Sequence, residues 1–242
     1  MRDAIEVSRT RGCVTARIVE ARHPLNSAAA NRLMDLCEQV EDDDTILMLA
    51  VTGSGAAFCA GFGDDVDPRL VESLAAVSKP TVAIINGDAI DEGLELALAA
   101  DIRIALARAR LTLTQLARGV LPHFGGTQRL ARIAGPAQAL RMLMTGAVLD
   151  GTEALRIGLV TYLAKNERDL ARVAGSVVEA ILSRAPLAVR LVKDAVLKGY
   201  DMTLEQGVRL EEDLYALLQT TADREEGVRA FLDKRRPIFR GA

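Results

Sequence analysis

The chain of 242 residues contains no tryptophan, and aromatic residues make up only 3% of it. A binding pocket in this protein is therefore expected to be aliphatic, because there are too few rings to build a stacking platform. No apolar run reaches the roughly 18 to 20 residues that a membrane helix needs. The start, Met1-Arg2-Asp3, leads into polar residues without the pattern of a signal peptide.

The chain is also poor in cysteine and in excess charge. Its three cysteines, Cys13, Cys37 and Cys59, are scattered, which favours buried thiols in a reducing compartment over a disulfide framework or a metal site. The net charge is −3, so the sequence lacks the basic face that nucleic acids require. We therefore expect a soluble cytoplasmic protein that binds no metal, no nucleic acid and no membrane.

What the sequence does contain is centred on residues 79–101. Thr81–Ile85 is a β-branched and aliphatic run that predicts a buried strand, and Asn86-Gly87 ends it. Gly93 opens an Ala/Leu-rich helix that runs to Ala100. A strand, a glycine turn and a helix in this order direct free backbone amides at a negative oxygen, either a phosphate or the oxyanion of a reacting carbonyl. Glu95 follows inside the helix, and a carboxylate beside such amides suits proton transfer next to a carbonyl.

The same order recurs along the first part of the chain. Ile5–Ser8 and Cys13–Ile18 alternate like a hairpin, and Ile46–Val51 is a fully apolar strand of the kind found in parallel sheets. Asn26 or Ser27 is predicted to cap the helix that begins at Ala28, Ile102–Leu106 is predicted to be a third apolar strand, and Arg110–Gln115 is predicted to be extended. Thr127 is predicted to cap the helix that follows the glycine-rich loop 119–126. From about Leu170 onward the sequence is helical. The pattern predicts an α/β core with a helical extension.

Five motifs in one order resemble the crotonase (enoyl-CoA hydratase/isomerase) superfamily over nearly the whole chain. They are Phe58-Cys59-Ala60-Gly61-Phe62, Lys79 to Asp101, GVLPHFGGTQRL at 119–130, Gly158-Leu159-Val160 and the run 229–237. The resemblance implies a right-handed spiral of ββα units in residues 1–184. It also implies a C-terminal helical region, residues 185–242, that forms homotrimers, often paired into hexamers. The implied substrate is an acyl-CoA thioester, with coenzyme A as part of the substrate and no separate cofactor.

Carried over residue by residue, the resemblance gives a catalytic site. The two amides that hold the thioester enolate fall at Phe62 and Glu92. The first of the family's two catalytic glutamates matches Glu95, whereas the second falls on Gln115, which can orient a water but cannot exchange a proton at neutral pH. The two-glutamate hydration mechanism therefore does not transfer intact.

The resemblance also gives a nucleotide site. The backbone around Phe58, Ala60 and Asp64 corresponds to the family's adenine-binding loop, and Arg22 and Leu25 lie where the family contacts the nucleotide. The segment between Asp64 and Lys79 is short by family standards, which suggests a more open or differently shaped acyl site.

Two further departures bear on proton transfer. His123 occupies a loop position where other members have a small residue or a catalytic acid, so it is a candidate proton shuttle. Asp91 and Glu92 stand where the family has glycines. We expect Asp91 to face solvent near the helix N-terminus. Glu92 remains open, since an inward carboxylate would replace the one lost at position 115.

Three functions stay open at this point. The first is addition or removal of water at an α,β-unsaturated acyl-CoA, with Glu95, Gln115 and His123 as the catalytic residues. The second is other enolate chemistry with one main acid/base group, namely double-bond isomerisation, thioester hydrolysis or decarboxylation. The third is a non-catalytic member that binds acyl-CoA or serves in assembly.

Overall fold

The computed structural model describes residues 4–241, which divide into two compact units. The first contains residues 4–77 and 81–177, and the second contains residues 78–80 and 178–241. The strands are β1 (Ile5–Thr10), β2 (Cys13–Ile18), β3 (Met48–Gly53), β4 (Ala57–Cys59), β5 (Thr81–Ile85), β6 (Asp88–Ile90), β7 (Ile102–Leu106), β8 (Leu111–Thr112) and β9 (Tyr162–Ala164). The helices are α1 (Ser27–Asp42), α2 (Arg69–Ala76), α3 (Glu92–Ala99), α4 (Gly126–Ala134), α5 (Pro136–Thr145), α6 (Gly151–Arg156), α7 (Glu167–Leu182), α8 (Pro186–Tyr200), α9 (Leu204–Gln219) and α10 (Ala222–Leu232).

The strands form two sheets. The larger sheet has the order β1-β2-β3-β5-β7-β9, and the smaller has the order β4-β6-β8. Only the β1–β2 pair is antiparallel, which confirms the predicted hairpin, and every other pair is parallel. β3 is buried at all six positions, as expected for a parallel strand covered on both faces.

Successive segments of the chain add strands to both sheets in turn. Each pass gives one strand to the larger sheet, one short strand to the smaller sheet, and then a helix: β3-β4-α2, then β5-β6-α3, then β7-β8 and α4. This repetition confirms the α/β fold of ββα units. Asn86 joins successive passes, because its Oδ1 accepts from Gly53 N–H at 2.9 Å while its Nδ2 donates to the carbonyl oxygens of Gly55 and Ala57.

A close backbone approach fixes where α3 begins. A Cβ at Gly93 would lie 2.1 Å from the carbonyl oxygen of Cys59, so only glycine lets the first turn of α3 lie against the end of β4. The approach brings Glu92 beside the peptide between Gly61 and Phe62, where a Cβ at Gly61 would lie 2.9 Å from Oε2 of Glu92.

Two local predictions were wrong. Thr127 does not cap α4, which already begins at Gly126 after Gly125 adopts a left-handed φ of 94°. The segment predicted as extended to Gln115 is a strand only at Leu111–Thr112 and then turns into a 3₁₀ helix at Gln115–Arg118. The sequence also gave no sign of the smaller sheet, since strands of two or three residues are too short to show a period.

The second unit is helical. α8 begins at Pro186, and a Thr203–Gln206 capping box starts α9. A Cβ at Gly207 would lie 3.5 Å from the carbonyl oxygen of Gly199, so small residues let these two helices approach closely. Neither α8 nor α9 has a buried residue. The predicted domain boundary at 184/185 stays a prediction.

No helix within residues 4–241 combines the length and the hydropathy that crossing a membrane would require.

Candidate active site

One backbone amide of the site comes from the loop after β4. Leu25 forms a parallel bridge with this loop, donating its N–H to Gly61 O at 2.9 Å and accepting from Gly63 N–H at 2.8 Å. Because neighbouring peptide groups point to opposite sides of an extended segment, the Phe62 N–H points away from Leu25 and towards α3. It lies 3.4 Å from Oε2 of Glu92.

The second amide comes from the first turn of α3. The carbonyl oxygen of Asp91 accepts from the N–H groups of Leu94 and Glu95, and the Asp91 side chain does not cap the helix. Since the first N–H groups of a helix have no intrahelical acceptor, the Glu92 N–H is left to bind an external oxygen. Phe62 and Glu92 therefore lie close together, and the joint role of their two amides stays a prediction.

The Glu92 side chain turns into the site. Its Oε2 is the oxygen near the Phe62 N–H, and its Oε1 lies 3.5 Å from Nε2 of Gln115. Both distances are at the long end for hydrogen bonds, and the side chain is only half-buried. Oε2 of Glu92 thus lies at the Phe62 N–H, which the resemblance assigns to the oxygen of a bound thioester.

Glu95 is fully buried and fixed by three donors. Its Oε1 accepts from the main-chain N–H groups of Phe124 at 2.9 Å and Gly126 at 2.7 Å, and its Oε2 accepts from Nε2 of Gln115 at 3.1 Å. Burial raises the pKa of the Glu95 carboxyl above its ordinary value, the N–H groups of Gly126 and Phe124 oppose that rise, and the nearby charge of Glu92 adds to it. Glu95 is therefore a more basic carboxylate than a glutamate in water.

Gln115 lies between the two glutamates. Its side chain is fully buried, and its NH₂ group faces both Oε2 of Glu95 and Oε1 of Glu92. The amide orientation follows from these partners, because an ionised carboxylate accepts and does not donate. Among residues 4–241, no group donates to Oε1 of Gln115. A buried acceptor without a donor is rare.

The expectation that Asp91 faces solvent was wrong. Asp91 is 4% exposed, and its carboxylate accepts from the hydroxyl of Thr114 at 3.0 Å and from Nη1 of Arg118 at 2.9 Å. The main-chain N–H of Thr114 also donates to it. These bonds clamp both sides of Gln115. The clamp compensates for a φ of 48°, which an aspartate rarely adopts.

His123 lies beside the loop that holds Glu95, but its side chain is exposed. Its ring centroid is 4.3 Å from that of Phe124, which in turn packs edge-on against Phe62 at 5.1 Å. No hydrogen bond joins His123 to Glu95 or Gln115 among residues 4–241. Its role as a proton shuttle stays a prediction.

An open cleft of about 370 Å³ lies on the His123 side of this loop. Its lining combines α2 with the start of α4, namely Pro68, Glu72, His123, Phe124, Gly125, Gln128, Arg129 and Arg132. Arg129 braces the loop, since its Nη1 donates to Phe124 O at 2.8 Å and its Nη2 to Glu72 at 2.9 Å. The lining is more polar than the sequence predicted.

The structure brings together the predicted nucleotide residues only in part. The bridge at Leu25 joins its loop to residues 61–63, next to Ala60 and Asp64. Arg22 and Asp64 are exposed, whereas the Phe58 side chain is fully buried, so only its backbone is available. Their binding of a nucleotide stays a prediction.

Sequence reasoning missed the donors that hold Glu95. The glycine-rich loop was noted, but nothing in the sequence tells which of its amides would reach a carboxylate 29 to 31 residues earlier. Asp91 as a clamp was missed for the same reason. All three cysteines are buried thiols, as predicted. Within residues 4–241 no three His, Cys, Asp or Glu side chains are grouped as metal ligands.

Comparisons with known proteins agree on one family. The family profile described as Enoyl-CoA hydratase/isomerase matches residues 65–242. The (E)-benzylidenesuccinyl-CoA hydratase of Thauera aromatica is 38% identical over 98% of each chain, and the 2,3-dehydroadipyl-CoA hydratase of Escherichia coli K12 is 33% identical over 91% of each. The crystal structure of enoyl-CoA hydratase from Bacillus anthracis matches with a TM-score of 0.94 and 31% identity, over 99% of this chain and 100% of that one.

Proposed function

Because the chain belongs to the enoyl-CoA hydratase/isomerase family of the crotonase superfamily, we propose that it adds water to, or removes water from, an α,β-unsaturated acyl-CoA. One observation carries this proposal: the buried carboxylate of Glu95 lies in the same site as the amides of Phe62 and Glu92. A base next to two amides is the arrangement that enolate chemistry at a thioester needs.

In the proposed reaction the thioester oxygen accepts hydrogen bonds from the N–H groups of Phe62 and Glu92. Negative charge develops on this oxygen as the nucleophile adds, so donors fixed there bind the transition state more tightly than the substrate. Loss of one such donor costs other enzymes on the order of 10²- to 10³-fold in kcat. The thioester must first displace Oε2 of Glu92 from the Phe62 N–H.

Glu95 acts as the base that activates water. Its raised pKa makes it a stronger base than an exposed glutamate, while the two N–H groups on Oε1 keep it oriented. Gln115 donates its NH₂ group to Oε2 of Glu95, next to the oxygen that takes the proton, and its Oε1 accepts from the attacking water once the surrounding side chains have moved. Gln115 therefore orients the nucleophile without exchanging a proton.

Isomerisation of the double bond is the second candidate. It needs only one carboxylate that removes a proton at one carbon and returns it two carbons away, and Gln115 leaves Glu95 without a glutamate at the position where the family's hydratases have their second one. The two reactions differ in whether water is incorporated, so one experiment separates them.

We propose further that coenzyme A enters as part of the substrate, with no separate cofactor. Its nucleotide lies against Arg22, Leu25 and residues 58–64, and the acyl group extends towards the cleft beside Phe124. The Leu25 bridge supports the first assignment, because it joins the two predicted nucleotide loops. The shared loop between Glu95 and the cleft supports the second.

The exposed apolar side chains of the second unit support assembly into a homo-oligomer. Leu204 and Phe231 are 85% and 82% exposed, and large apolar side chains this exposed commonly mark an interface. We propose that they pack on further copies of this chain, as trimers or hexamers.

The test is mass spectrometry of a short enoyl-CoA incubated with the protein in D₂O. Gain of one heavy water per molecule supports hydration, deuterium uptake without water addition supports isomerisation, and release of free CoA supports thioester hydrolysis. Glu95→Gln should abolish each of these activities, while Glu167→Gln, at an exposed salt bridge with Arg108, should not. A wild-type protein that leaves enoyl-CoAs of several chain lengths unchanged would overturn the proposal.

A further inference from the structure

We propose that Glu92 is a second catalytic carboxyl group, which gives the proton to the α-carbon while Glu95 activates water on the other side of the Gln115 amide. The inference rests on the proposed hydration and assigns the group that this reaction still lacks. The amide of Glu92 and its side chain then have separate tasks. The N–H binds the thioester oxygen, and the carboxyl moves a proton.

The first argument is geometric. Glu92 and Glu95 are three residues apart on α3, so their side chains project from one face of the helix. Nε2 of Gln115 lies 3.1 Å from Glu95 and 3.5 Å from Glu92, so one amide group touches both carboxylates.

The second argument comes from Gln115 itself. Its Oε1 is a fully buried acceptor with no donor within residues 4–241, although the NH₂ group of the same amide contacts both Glu92 and Glu95. A water can donate to it only after Glu92 or another neighbouring side chain moves, because no surface of Oε1 is open to a water in this arrangement. The two carboxyl groups and Oε1 together define a place for the nucleophile.

The bonding of the two carboxylates separates their tasks. Glu95 accepts from three N–H groups, which hold its carboxylate in one orientation, while Oε2 accepts only one of them and keeps a lone pair for the proton of the attacking water. Among the described residues Glu92 makes two contacts, both long, and it is half-buried, so its side chain can rotate. His123 is exposed and makes no hydrogen bond to this group among the described residues, which makes it the poorer donor.

Substrate binding would bring Glu92 into position. The thioester oxygen replaces Oε2 of Glu92 at the Phe62 N–H, and the released carboxyl keeps its contact with Gln115. The displacement costs little free energy, because the hydrogen bond lost between the Phe62 N–H and Glu92 is long, at 3.4 Å.

The reaction balances with one proton on the pair. Glu95 takes a proton from water as the water oxygen bonds to the β-carbon, and the Cα=Cβ electron pair moves onto the thioester oxygen. The enolate then re-forms its carbonyl as the α-carbon takes the proton of Glu92. The substrate has gained one water, and the pair still holds one proton, now on Glu95. The proposal requires Glu92 to carry this proton at the start, and proton exchange with solvent water returns it from Glu95 to Glu92 after each turnover.

The test exchanges the two side chains. Glu92→Gln removes the proposed acid but keeps the N–H and the length of the side chain. Gln115→Glu supplies a carboxylate next to Glu95. The double variant Glu92→Gln/Gln115→Glu contains the same groups as the wild type, with positions exchanged. All are compared in steady-state hydration, with thermal unfolding and native mass as checks on folding.

We expect Glu92→Gln to lower kcat by about 100-fold or more, with a much smaller change in KM. We expect the exchange variant to recover at least about tenfold over Glu92→Gln, since either position then supplies the second carboxyl. Because a glutamate at position 115 could raise the rate by itself, rescue is counted only where the gain of the exchange variant over Glu92→Gln exceeds the gain of Gln115→Glu over the wild type.

Three results would overturn the inference. One is a Glu92→Gln variant that keeps the wild-type kcat, and another is a faster variant, which would make Glu92 a side chain that merely obstructs the amides. The third is a folded exchange variant no faster than Glu92→Gln. In each case the proposed function stands, provided that the wild type incorporates water and Glu95→Gln does not.

Discussion

The main-chain N–H of Gly126 donates to Oε1 of Glu95 at 2.7 Å, and a Cβ at Gly126 would lie at the same 2.7 Å from that oxygen. Gly126, the first residue of α4, thus both donates to the carboxylate of Glu95 and packs directly against it. The φ of Gly126 is not in the left-handed region, so the need for glycine here is steric and not conformational. Any side chain at this position acts directly on the geometry of Glu95.

Gly126→Ala should therefore impair catalysis. The new Cβ would also lie 2.9 Å from Cγ and 3.0 Å from Cδ of Glu95, and this carboxylate is held by three hydrogen bonds and does not yield easily. We expect a loss of stability of about 1–3 kcal/mol from overpacking. We also expect a fall in kcat of about tenfold to 100-fold from the misplaced base. Chemical denaturation and steady-state hydration measure the two effects.

Gly175→Ala is the matched control. Gly175 lies in the exposed interior of α7, and a Cβ there would meet nothing within 4 Å. This substitution should raise stability by about 0.5–1 kcal/mol through helix propensity and leave kcat unchanged. Equal activity of Gly126→Ala and Gly175→Ala would show that the packing at Gly126 has no influence on Glu95.

The buried charge of Glu95 predicts a pH-dependent cost in stability. The pKa of this carboxyl is raised above its ordinary value near 4.5, first of all by burial. At a pH between the ordinary pKa of the unfolded chain and the raised pKa of the native chain, Glu95 keeps a proton in the native state that it has lost in the unfolded state. The free energy of unfolding of the wild type should therefore fall as pH rises through this interval. Above it, the cost is constant.

Glu95→Gln removes this cost while preserving most of the bonding. The amide oxygen can accept from Phe124 and Gly126, and Gln115 can turn its own amide to accept from the new NH₂ group. We expect the variant to be inactive but relatively more stable as pH increases from about 4.5 towards neutrality. Denaturation curves of both proteins across this range test the expectation. A stability difference that does not change with pH would contradict it.

Asp91 should act on catalysis through Gln115. Asp91→Gly relieves the φ of 48° but removes the bonds to Thr114 and Arg118 that hold the 3₁₀ turn. Because hydrogen bonds to a charged group contribute about 1.5–3 kcal/mol each, we expect net destabilisation. We expect kcat to fall by about tenfold as Gln115 loosens.

Arg118→Ala provides the comparison for Asp91. It removes only the ion pair, whose arginine side chain is 56% exposed, so its effect on stability should stay within about 1 kcal/mol. The hydroxyl and N–H of Thr114 would still hold Asp91 in place. An Asp91→Gly variant that is as active as Arg118→Ala would show that the clamp does not position Gln115.

The elements that could be predicted are those whose pattern is local. Thr81–Ile85 and Ile102–Leu106 occur with the predicted bounds, because short runs dominated by β-branched and aliphatic residues and bounded by turn or charged residues have few other solutions. The N-cap at Asn26 could be predicted because its side chain bonds within its own turn, to Ala29 N–H. The resemblance then supplied the family, which the profile match confirms.

The parts that could not be predicted depend on contacts between distant segments. Glu95 was a visible candidate, but its donors come from a loop about 30 residues away, and a backbone N–H leaves no trace in a sequence. Asp91 was assigned to solvent because a charged residue at a helix N-terminus usually faces water. The bonds from Thr114 and Arg118 outweigh that tendency, and both partners come from a different pass of the spiral.

The last prediction concerns assembly of the second unit. α8 and α9 have no buried residue, and Phe231 on α10 is 82% exposed, which leaves apolar surface that a second copy of the chain would cover. A charge at the centre of such an interface has no partner, so Phe231→Glu should lower the native mass measured by light scattering.

Val7→Glu is the control for Phe231→Glu, because Val7 is an exposed apolar residue of β1, outside the second unit. We expect its native mass to equal that of the wild type. Circular dichroism of both variants establishes that the secondary structure is retained. A wild type that is monomeric at micromolar concentration, or a Phe231→Glu variant of unchanged mass, would contradict the proposal that these helices carry the interface.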